Sequence, residues 1–447
     1  MMRSMYSGVS GLRVHQTRMD VIGNNIANVN TVGFKSGRVI FSDVFSQLSR
    51  GAGAPNADTG RGGTNPMQVG LGANVYSIDN QMTRGSVQRT DNPTDLAIDG
   101  EGFFVVRGGR LDTYKFTRAG NFTLDAVGNL VTASGLNVMG WQLYTYDRAT
   151  DSYVFDTEQP LEEINIYADT HNGNKRILAP QATTFAEFTG NLDADAVDGS
   201  AASASTVPFF VYDEIGNKHD INIRFTAAST NANTDRTWNW EIVTGSGYTV
   251  TAGGTGGTIT FGTGSANAKN GIVTAVNGTT PPAAVNITIT PSAPSIASPL
   301  TVSLDLTKMT QYAYDTNVKS SKSDGYPPGE FSTFSIGSDG VVSAVYSNGK
   351  MRPLAQIALA SFDNPAGLLK EGDNLFSQTT NSGAFTRGVR PTYSGTGQLA
   401  PGTLEMSNVD LSREFSDMIV TQRGFQANTR IITTSDEMLQ ELVNIKR

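Results

Sequence analysis

The 447-residue sequence has no cysteine, so no disulfide can stabilise the fold. A cytosolic protein can lack thiols by chance. A protein that is exported unfolded and assembled outside the cell gains by having no thiols that could cross-link in transit. The absence of cysteine is therefore compatible with export but does not require it.

Residues that carry enzyme chemistry are also scarce. The three histidines, His15, His171 and His219, lie in different regions, and neither an H-E-x-x-H motif nor a Ser/His/Asp arrangement is present. The acidic run from Asp193 to Gly199 departs from a calcium loop because Val197 breaks the alternation of ligands and no glutamate follows at the required distance. The glycine run 253–257 lacks the lysine of a phosphate loop. We therefore expect no catalytic residue, no metal and no cofactor.

A net positive charge and long apolar runs are missing as well. The net charge is −8, and residues 147–324 hold 19 acidic against 10 basic side chains. Nucleic-acid binding would need the opposite sign, so we expect none. No stretch approaches the ~18 apolar residues of a membrane span, which predicts no membrane insertion. The first residues lack an apolar core followed by a cleavage site, which predicts no cleaved signal peptide.

What the sequence does have is glycine, 48 residues, together with short alternating apolar runs between turn residues. This pattern is typical of a mostly β protein. Residues 96–98 and 103–106, joined by Asp99-Gly-Glu-Gly102, predict one hairpin. The run VPFFVYDEIGNKHDINIRF predicts another, with its turn at 214–217. The Thr/Gly/Asn-rich tract 227–299 is compatible with disorder, but its Val/Ile alternation favours folded strands.

Helices are predicted at both ends, from about residue 4 to 29 and from Asp410 or Ser412 to about Ile445. Each carries apolar residues at intervals of seven, a spacing that keeps one stripe of a helix facing a partner. Leu404 begins the C-terminal series just before its helix. The predicted polymerisation and coiled-coil contact residues are Met5, Leu12, Met19, Ile26, Leu411, Met418, Phe425, Ile432 and Leu439. Because the first helix also contains Gly8, Gly11 and Gly23, we expect it to depend on that pairing.

A second contact position four residues after the first is ambiguous. Half of its residues are polar, and these either fix the register of the pairing or face solvent. Its members are Val9, Gln16, Gly23, Phe415, Gln422, Thr429, Asp436 and Val443. If the helices line a channel, Gln426, Asn428, Gln440 and Asn444 are candidates for its wall.

The composition changes along the chain predict a nested organisation. Terminal helices that pair as a coiled coil enclose two β-domains with sandwich or barrel character. The predicted segments are 1–33 and 404–447 (helical), 34–74 (an extended connector, with a disordered linker as the alternative), 75–146 and 330–403 (inner β-domain) and 147–329 (inserted outer β-domain).

Four stretches resemble the bacterial flagellar rod and hook family. NNIANVNTVGFK, residues 24–35, looks like the N-terminal motif of that family, whose matching positions are Asn24, Asn25, Asn28, Asn30, Gly33, Phe34 and Lys35. DLAIDGEGFFVV (95–106) and FTRAGNFTLDAVGNLV (116–131) are similar to its shared β-domain, and residues 404–443 resemble its C-terminal motif. Phe116 stands where the family often has tyrosine, which removes only a hydroxyl.

The resemblance implies a structural subunit that polymerises into an axial part of the flagellum. Residues 324–350 and 371–383 look like the hook members of the family in particular, and the large insertion argues for the hook, a hollow, curved, flexible tube that transmits motor torque. The implied partners are further copies of the chain, the distal rod protein, the hook cap protein, the hook–filament junction proteins and the flagellar type III export apparatus. The implied location is extracellular. A distal rod protein and a secreted β-rich adhesin are the alternatives.

Overall fold

The computed structural model describes residues 2–55, 60, 62–108, 113–147, 152–169, 171, 173–196, 204–229, 236–243, 248–252, 256–262, 270–291, 298–393 and 395–445. Two helices, α1 (Met2–Ala27) and α2 (Leu411–Ile445), stand at the two ends of the chain. Short strands fill the described residues between them. This confirms the predicted fold class, mostly β with helical termini that pack together.

The strands in the first part of the chain are β1 Gly37–Asp43, β2 Ser46–Arg50, β3 Met67–Gly70, β4 Ala73–Asn80, β5 Val87–Arg89, β6 Leu96–Asp99, β7 Phe103–Gly108, β8 Thr113–Thr117, β9 Thr123–Leu124, β10 Leu130–Val131, β11 Asn137–Trp141, β12 Tyr144–Asp147, β13 Ser152–Phe155, β14 Glu162–Glu163, β15 Ala168–Asp169, β16 Gly173–Asn174, β17 Ile177–Leu178 and β18 Phe185–Asp193.

The later strands are β19 Ser205–Tyr212, β20 Lys218–Ser229, β21 Arg236–Val243, β22 Tyr248–Ala252, β23 Gly256–Phe261, β24 Val273–Val276, β25 Val285–Pro291, β26 Leu300–Asp305, β27 Met309–Tyr312, β28 Lys319–Ser323, β29 Gly329–Ile336, β30 Val341–Tyr346, β31 Met351–Ile357, β32 Leu359–Ala360, β33 Leu369–Gly372, β34 Leu375–Ser377, β35 Gln398–Pro401 and β36 Thr403–Glu405. A 3-10 turn, Pro365–Gly367, precedes β33.

The chain forms two compact units. Unit 1 comprises Met1–Asn174, Phe334–Ala344 and Arg352–Arg447, and unit 2 comprises Lys175–Thr333 and Val345–Met351. In unit 1, strands β31, β11, β7, β8, β34 and β33 lie side by side in one sheet. Its core contains aromatic rings packed edge to face, for example Phe116 against Phe362 with ring centroids 4.7 Å apart. Phe116 is fully buried, so the aromatic body is what this position uses.

Unit 2 is a β-sandwich. One sheet has the order β19-β20-β21-β23-β24, and the other has the order β22-β25-β26-β18-β27, with β28 also paired to β18. Alternate residues of each strand point into one core, as in β21, whose Trp238, Trp240 and Ile242 are buried. Phe188 and Phe209, from opposite sheets, meet at 5.3 Å between ring centroids. The described strands within residues 227–299 therefore contribute to the core of a folded domain.

The hairpin predicted for residues 207–225 is confirmed, and its turn has a counterpart in unit 1. β19 and β20 pair from Ser205↔Phe225 to Tyr212↔Lys218. In the loop, Asp213 accepts a hydrogen bond from the backbone N–H of Asn217 at 2.7 Å and another from its side-chain amide at 2.9 Å. Asp125 and Asn129 make the same two contacts, at 2.7 and 2.9 Å. Both loops have the sequence Asp-x-x-Gly-Asn. In each loop the aspartate carboxylate accepts hydrogen bonds from N–H groups of the turn.

The hairpin predicted for residues 96–106 is wrong. β6 pairs with β35, from Leu96↔Pro401 to Asp99↔Gln398, whereas β7 pairs with β8, β11 and β32. The physical reason lies in the connection. Gly100 and Gly102 have φ values of 131° and 122°, which bend the chain away from β6 instead of closing a tight turn.

None of the helices in the described part of the chain is long and apolar enough to cross a membrane.

Candidate functional site: the paired chain ends and their junction

The two terminal helices pack against each other, antiparallel and close. α2 begins after Asp410, whose carboxylate caps the helix by accepting the backbone N–H of Ser412 at 2.9 Å. Near this end of α2, Arg18 and Asp417 form an ion pair at 3.1 Å, and Asn25 donates to Glu414 at 3.2 Å. These partners run in opposite order along the two helices.

Small residues of α1 allow the close approach. A Cβ placed on Gly11 would lie 2.7 Å from Asn428 Nδ2, and one on Gly8 would lie 3.5 Å from the backbone oxygen of Asn428. Conversely, Gly424 of α2 makes room for the ring of His15, which would lie 2.7 Å from a Cβ at that position. The helix pair is therefore built on glycine, amide and ion-pair contacts as well as on apolar side chains.

The predicted heptad residues occupy the partly buried margins of this pair. Met5, Leu12, Met19 and Ile26 are all of intermediate burial, as are Met418, Phe425, Ile432 and Leu439, while Leu411 is 39% exposed. The close approach of Gly8 to Ile432 places that member of the α2 series against α1. Whether the remaining members make contacts between subunits stays a prediction.

The second line of α2 lies one residue earlier than the ambiguous set proposed from the sequence. Its positions are Glu414, Thr421, Asn428 and Ser435, of which Thr421 and Ser435 are buried. The set at Phe415, Gln422, Thr429, Asp436 and Val443 is exposed in the single chain. A period of 3.5 residues alternates steps of four and three, and the choice of step cannot be made from polar residues alone. Asn428, a channel-wall candidate, faces α1 instead.

Strands β1 to β4 form a two-stranded antiparallel ribbon next to α1. β1 pairs with β4, β2 pairs with β3, and a bridge joins Gly53 to Thr64. Residues 56–59 and 61, within the glycine-rich part of the predicted connector, lie outside the described residues. The ribbon contacts α1 through Ser10, whose hydroxyl accepts the backbone N–H of Ala73 at 3.3 Å, and through Phe41, which lies edge-on to His15.

Next to the helices, the residues that flank them meet at one place, which we call the junction. It consists of the segments 33–36, 83–85 and 405–408 together with Arg118. Gly33 donates its backbone N–H to the oxygen of Glu405 at 2.7 Å. Asn408 accepts the N–H of Ser36 at 2.8 Å and donates to the oxygen of Gln81 at 2.8 Å. Segments some 370 positions apart in sequence are therefore bonded directly to each other.

A buried carboxylate with two cationic partners lies at the centre of the junction. Lys35 Nζ is 2.7 Å from Glu405 Oε1, and Arg118 Nη1 is 3.2 Å from Glu405 Oε2. The side chains of Lys35 and Glu405 are 1% and 0% exposed. Burial alone would raise the pKa of Glu405, but the charges of Lys35 and Arg118 and the hydrogen bonds it accepts outweigh burial and hold its pKa below the usual value. Glu405 is therefore ionised in the folded chain at neutral pH.

The remaining residues of the N-terminal motif serve the same region. Asn25, 1% exposed, bonds both backbone groups of Gly37 at 2.9 Å. Asn28 donates to the oxygen of Asn24 at 2.9 Å and so ends α1. Phe34 lies under Lys370, whose Nζ is 3.8 Å from the ring centroid. Asn30 is exposed. The motif is thus brought together with the C-terminal motif in space.

Sequence reasoning missed Glu405 and Arg118. Both lie inside the stretches that resemble the family, at 404–443 and 116–131, and both side chains are buried in the structure. Their place in those stretches is the signal that the sequence offers, and it does not say which partner either residue takes. Among the described residues no group of three or more His, Cys, Asp or Glu is placed to hold a metal. Residues 197–199 of the acidic run and 253–255 of the glycine run lie outside the described residues.

Comparison with known sequences gives four family matches along the chain. They are "Flagella basal body rod protein" over residues 5–35, "Flagellar hook protein FlgE/F/G D1 domain" over 97–174, "Flagellar basal body protein FlaE D2 domain" over 181–326 and "Flagellar basal body rod FlgEFG protein C-terminal" over 400–445.

The chain is also similar over its whole length to individual proteins. It is 40% identical to the flagellar hook protein FlgE of Borreliella burgdorferi and 38% identical to that of Treponema pallidum, with full coverage of both chains in each case. It is 32% identical to the flagellar basal-body rod protein FlgG of Bacillus subtilis, again over the full length of both. The Helicobacter pylori hook protein FlgE2 aligns in structure with a TM-score of 0.48 at 15% identity, covering 71% of this chain and all of that one.

The Bacillus relative corrects one expectation. A protein named as a rod component matches this chain from end to end, so the insertion does not by itself separate hook from rod. The distinction rests on the higher identities to the hook proteins of Borreliella and Treponema.

Proposed function

Because this chain belongs to the flagellar hook protein FlgE family, we propose that its paired ends are completed by contacts with further copies, which build a hollow, curved and flexible tube. The chain is a structural subunit of the bacterial flagellar hook, and the family implies self-polymerisation. The tube transmits motor torque.

One observation carries the proposal: α2 exposes large apolar side chains that α1 does not cover. Ile419, Val420 and Val443 are 59%, 62% and 68% exposed. A helix that is apolar on its outward side needs a further partner. In a chain that polymerises, another copy supplies that partner.

The same reasoning divides the subunit by role. We assign the helical segments 1–33 and 404–447 to the inner wall of the tube, residues 75–146 and 330–403 to a middle layer, and the acidic segment 147–329 to the outer surface. Outer contacts must break and reform as a bent tube rotates, and polar, hydrated surfaces suit that need. The distal rod protein, the hook cap protein, the hook–filament junction proteins and the type III export apparatus are the further partners we propose, with export that needs no cleaved signal peptide and an extracellular location.

Hydrogen exchange on the monomer and on the polymer tests this function. Amides of residues 2–27 and 411–445 should gain protection on polymerisation, because isolated helices depend on packing for most of their stability. Amides of the unit 2 core should be equally protected in both states. Helices that are already fully protected in the monomer would contradict the proposal.

A matched pair of substitutions makes the test specific. Ile419 on α2 and Ile215 in unit 2 have similar exposure, 59% and 52%. Ile419→Ser should raise the protein concentration needed for polymerisation at least about tenfold, since each isoleucine buried at an interface contributes roughly 1.5–3 kcal/mol. Ile215→Ser should leave it unchanged. Sedimentation of polymer measures both, and equal effects would refute the assignment of α2 to the subunit contact.

A further inference from the structure

The junction places two cations on a single carboxylate in the protein interior. Glu405 bonds Lys35 with one oxygen and Arg118 with the other, and the oxygen nearer to Lys35 also accepts the N–H of Gly85 at 3.0 Å. Lys35 Nζ has a second acceptor, the backbone oxygen of Thr83 at 2.8 Å. Arg118 lies over the ring of Phe103, 5.3 Å from its centroid, and its Nε is buried with no partner among the described residues.

The charges of this network are divided unevenly between the two ends of the chain. Among the described residues, Glu405 brings the only carboxylate in contact with either cation, and it lies on the C-terminal side of the chain. If segment 405–408 is absent from the junction, Lys35 and Arg118 face each other with no anion between them. Burying unpaired cations is strongly unfavourable, and like charges at close range repel. Segment 33–36 therefore cannot keep its buried position.

We propose that Glu405 is a positioning residue that makes the docking of segment 33–36 depend on segment 405–408, so that both segments dock in the junction together or not at all. Backbone bonds support the same coupling, because Gly33 and Ser36 are bonded to Glu405 and Asn408. The three charges prevent one segment from docking without the other. Apolar residues in their place would permit each end to dock alone.

The absence of cysteine gives a clean reporter of docking. Ser36 is 4% exposed, and its hydroxyl makes one side-chain contact, to Gln81 at 3.3 Å. In the full chain carrying Ser36→Cys, a maleimide should react slowly because the introduced thiol is buried. Adding Glu405→Gln should accelerate labelling by at least about a hundredfold, the factor expected when one partner of a buried ion pair is removed.

Neutral replacement of all three charges separates charge from packing. When Lys35→Met, Arg118→Met and Glu405→Leu are combined in the Ser36→Cys chain, labelling of the introduced thiol should return to within about tenfold of the parent rate. The reason is that apolar side chains of similar volume replace a buried ion network at little cost. Glu371→Gln, which breaks the partly exposed pair with Lys115, is the control and should not change labelling.

Two results would overturn the proposal. One is labelling of the Glu405→Gln variant at the parent rate. The other is a triple variant that labels as fast as Glu405→Gln, which would mean that unpaired buried cations are not what keeps segment 33–36 from docking. Fluorescence of Trp141, buried in unit 1, and of Trp238 and Trp240, buried in unit 2, reports that the rest of each variant is folded. If Glu405→Gln does not fold, the triple variant still decides, since slow labelling supports the charge requirement and fast labelling refutes it.

Discussion

At the scale of single residues, the N-terminal motif lies in close contact with distant parts of the chain, both the stretch 116–131 and the C-terminal stretch. Gly33 shows the constraint most directly. Its φ is 69°, and a Cβ there would lie 2.6 Å from the backbone nitrogen of Ala119. Both the left-handed backbone and the close approach require glycine. Glycine is thus required at position 33 by the backbone conformation and the lack of space for a side chain.

Gly33→Ala should therefore destabilise unit 1 more than a left-handed backbone alone explains. Gly135 is the matched control, with φ 81° and no atom within 4 Å of the place that a Cβ would take. We expect Gly135→Ala to cost about 1 kcal/mol of the free energy of unfolding and Gly33→Ala at least about 3 kcal/mol, since backbone atoms cannot move aside. Denaturant unfolding measures both, and equal costs would show that Ala119 yields.

His15 should make the helix pair sensitive to mild acid. Burial, aided by the charge of Arg18, lowers the pKa of His15, and its Nδ1 is buried without a partner among the described residues. Because its folded pKa lies below the unfolded value of about 6.5, its stabilising effect is present above that value and is lost as pH falls through the folded pKa. Glu414 acts in the opposite sense, since burial and then the charge of Asp417 raise its pKa.

The His15→Gln variant isolates that contribution, because glutamine stays neutral throughout. Polymers of this variant should dissociate at a lower pH than the parent when followed by light scattering from about pH 7.5 to about pH 5, the range in which an ordinary histidine titrates. His171→Gln, which removes a partly exposed histidine paired with Glu162, should dissociate with the parent. Parent-like dissociation of His15→Gln would place the acid-sensitive group elsewhere.

At the scale of elements, the sequence predicts what local pattern determines and fails where distant partners decide. α1, α2 and the β19–β20 hairpin follow from heptads, the Asp410 cap and the Asp213 turn, all of which are local. The pairing of β6 with β35 joins residues about 300 positions apart, and the residues of the connection 99–102 do not reveal that distant partner. The ion pair of Lys35 with Glu405 was hidden for the same reason.

The contact between α1 and α2 depends on a missing side chain at Gly11. Gly11→Leu should force the helices apart, because the new side chain would occupy the place of the Asn428 amide. Gly23→Leu is the control, since Gly23 has no atom within 4 Å of its Cβ position and gains the same helix propensity. In the polymer, hydrogen exchange of residues 424–432 should accelerate about tenfold or more in the first variant only. Acceleration in both would indicate that Gly23 also makes a contact.

At the scale of the whole molecule, the core of unit 2 and the aromatic core of unit 1 share none of the described residues. The core of unit 2 runs from Ala186 to Met309, and the aromatic core of unit 1 is built from residues up to Leu161 and from Ala358 onward. Each core therefore has its own source of stability. We expect two separable transitions when the monomer is heated.

The points where the chain enters and leaves the sandwich are already adjacent. Gln181 and Tyr326 exchange both backbone hydrogen bonds, each 3.1 Å long, as an antiparallel pair. A two-residue Asn-Gly turn fits such a pair. Replacing residues 182–325 with Asn-Gly should therefore close the chain without strain and remove the whole unit 2 core.

We expect the shortened chain to keep the higher-order contacts of its helices and to polymerise into straight tubes, because Ile419, Glu405 and the α1–α2 contacts are untouched. Electron microscopy of the salted-out protein shows the shape, and calorimetry should show that one of the two heat transitions has gone. A chain with the same residues replaced by a flexible Gly/Ser linker controls for the tightness of the new turn. If neither chain forms polymer while both retain the remaining transition, the sandwich is needed for assembly itself and does more than shape the outer surface.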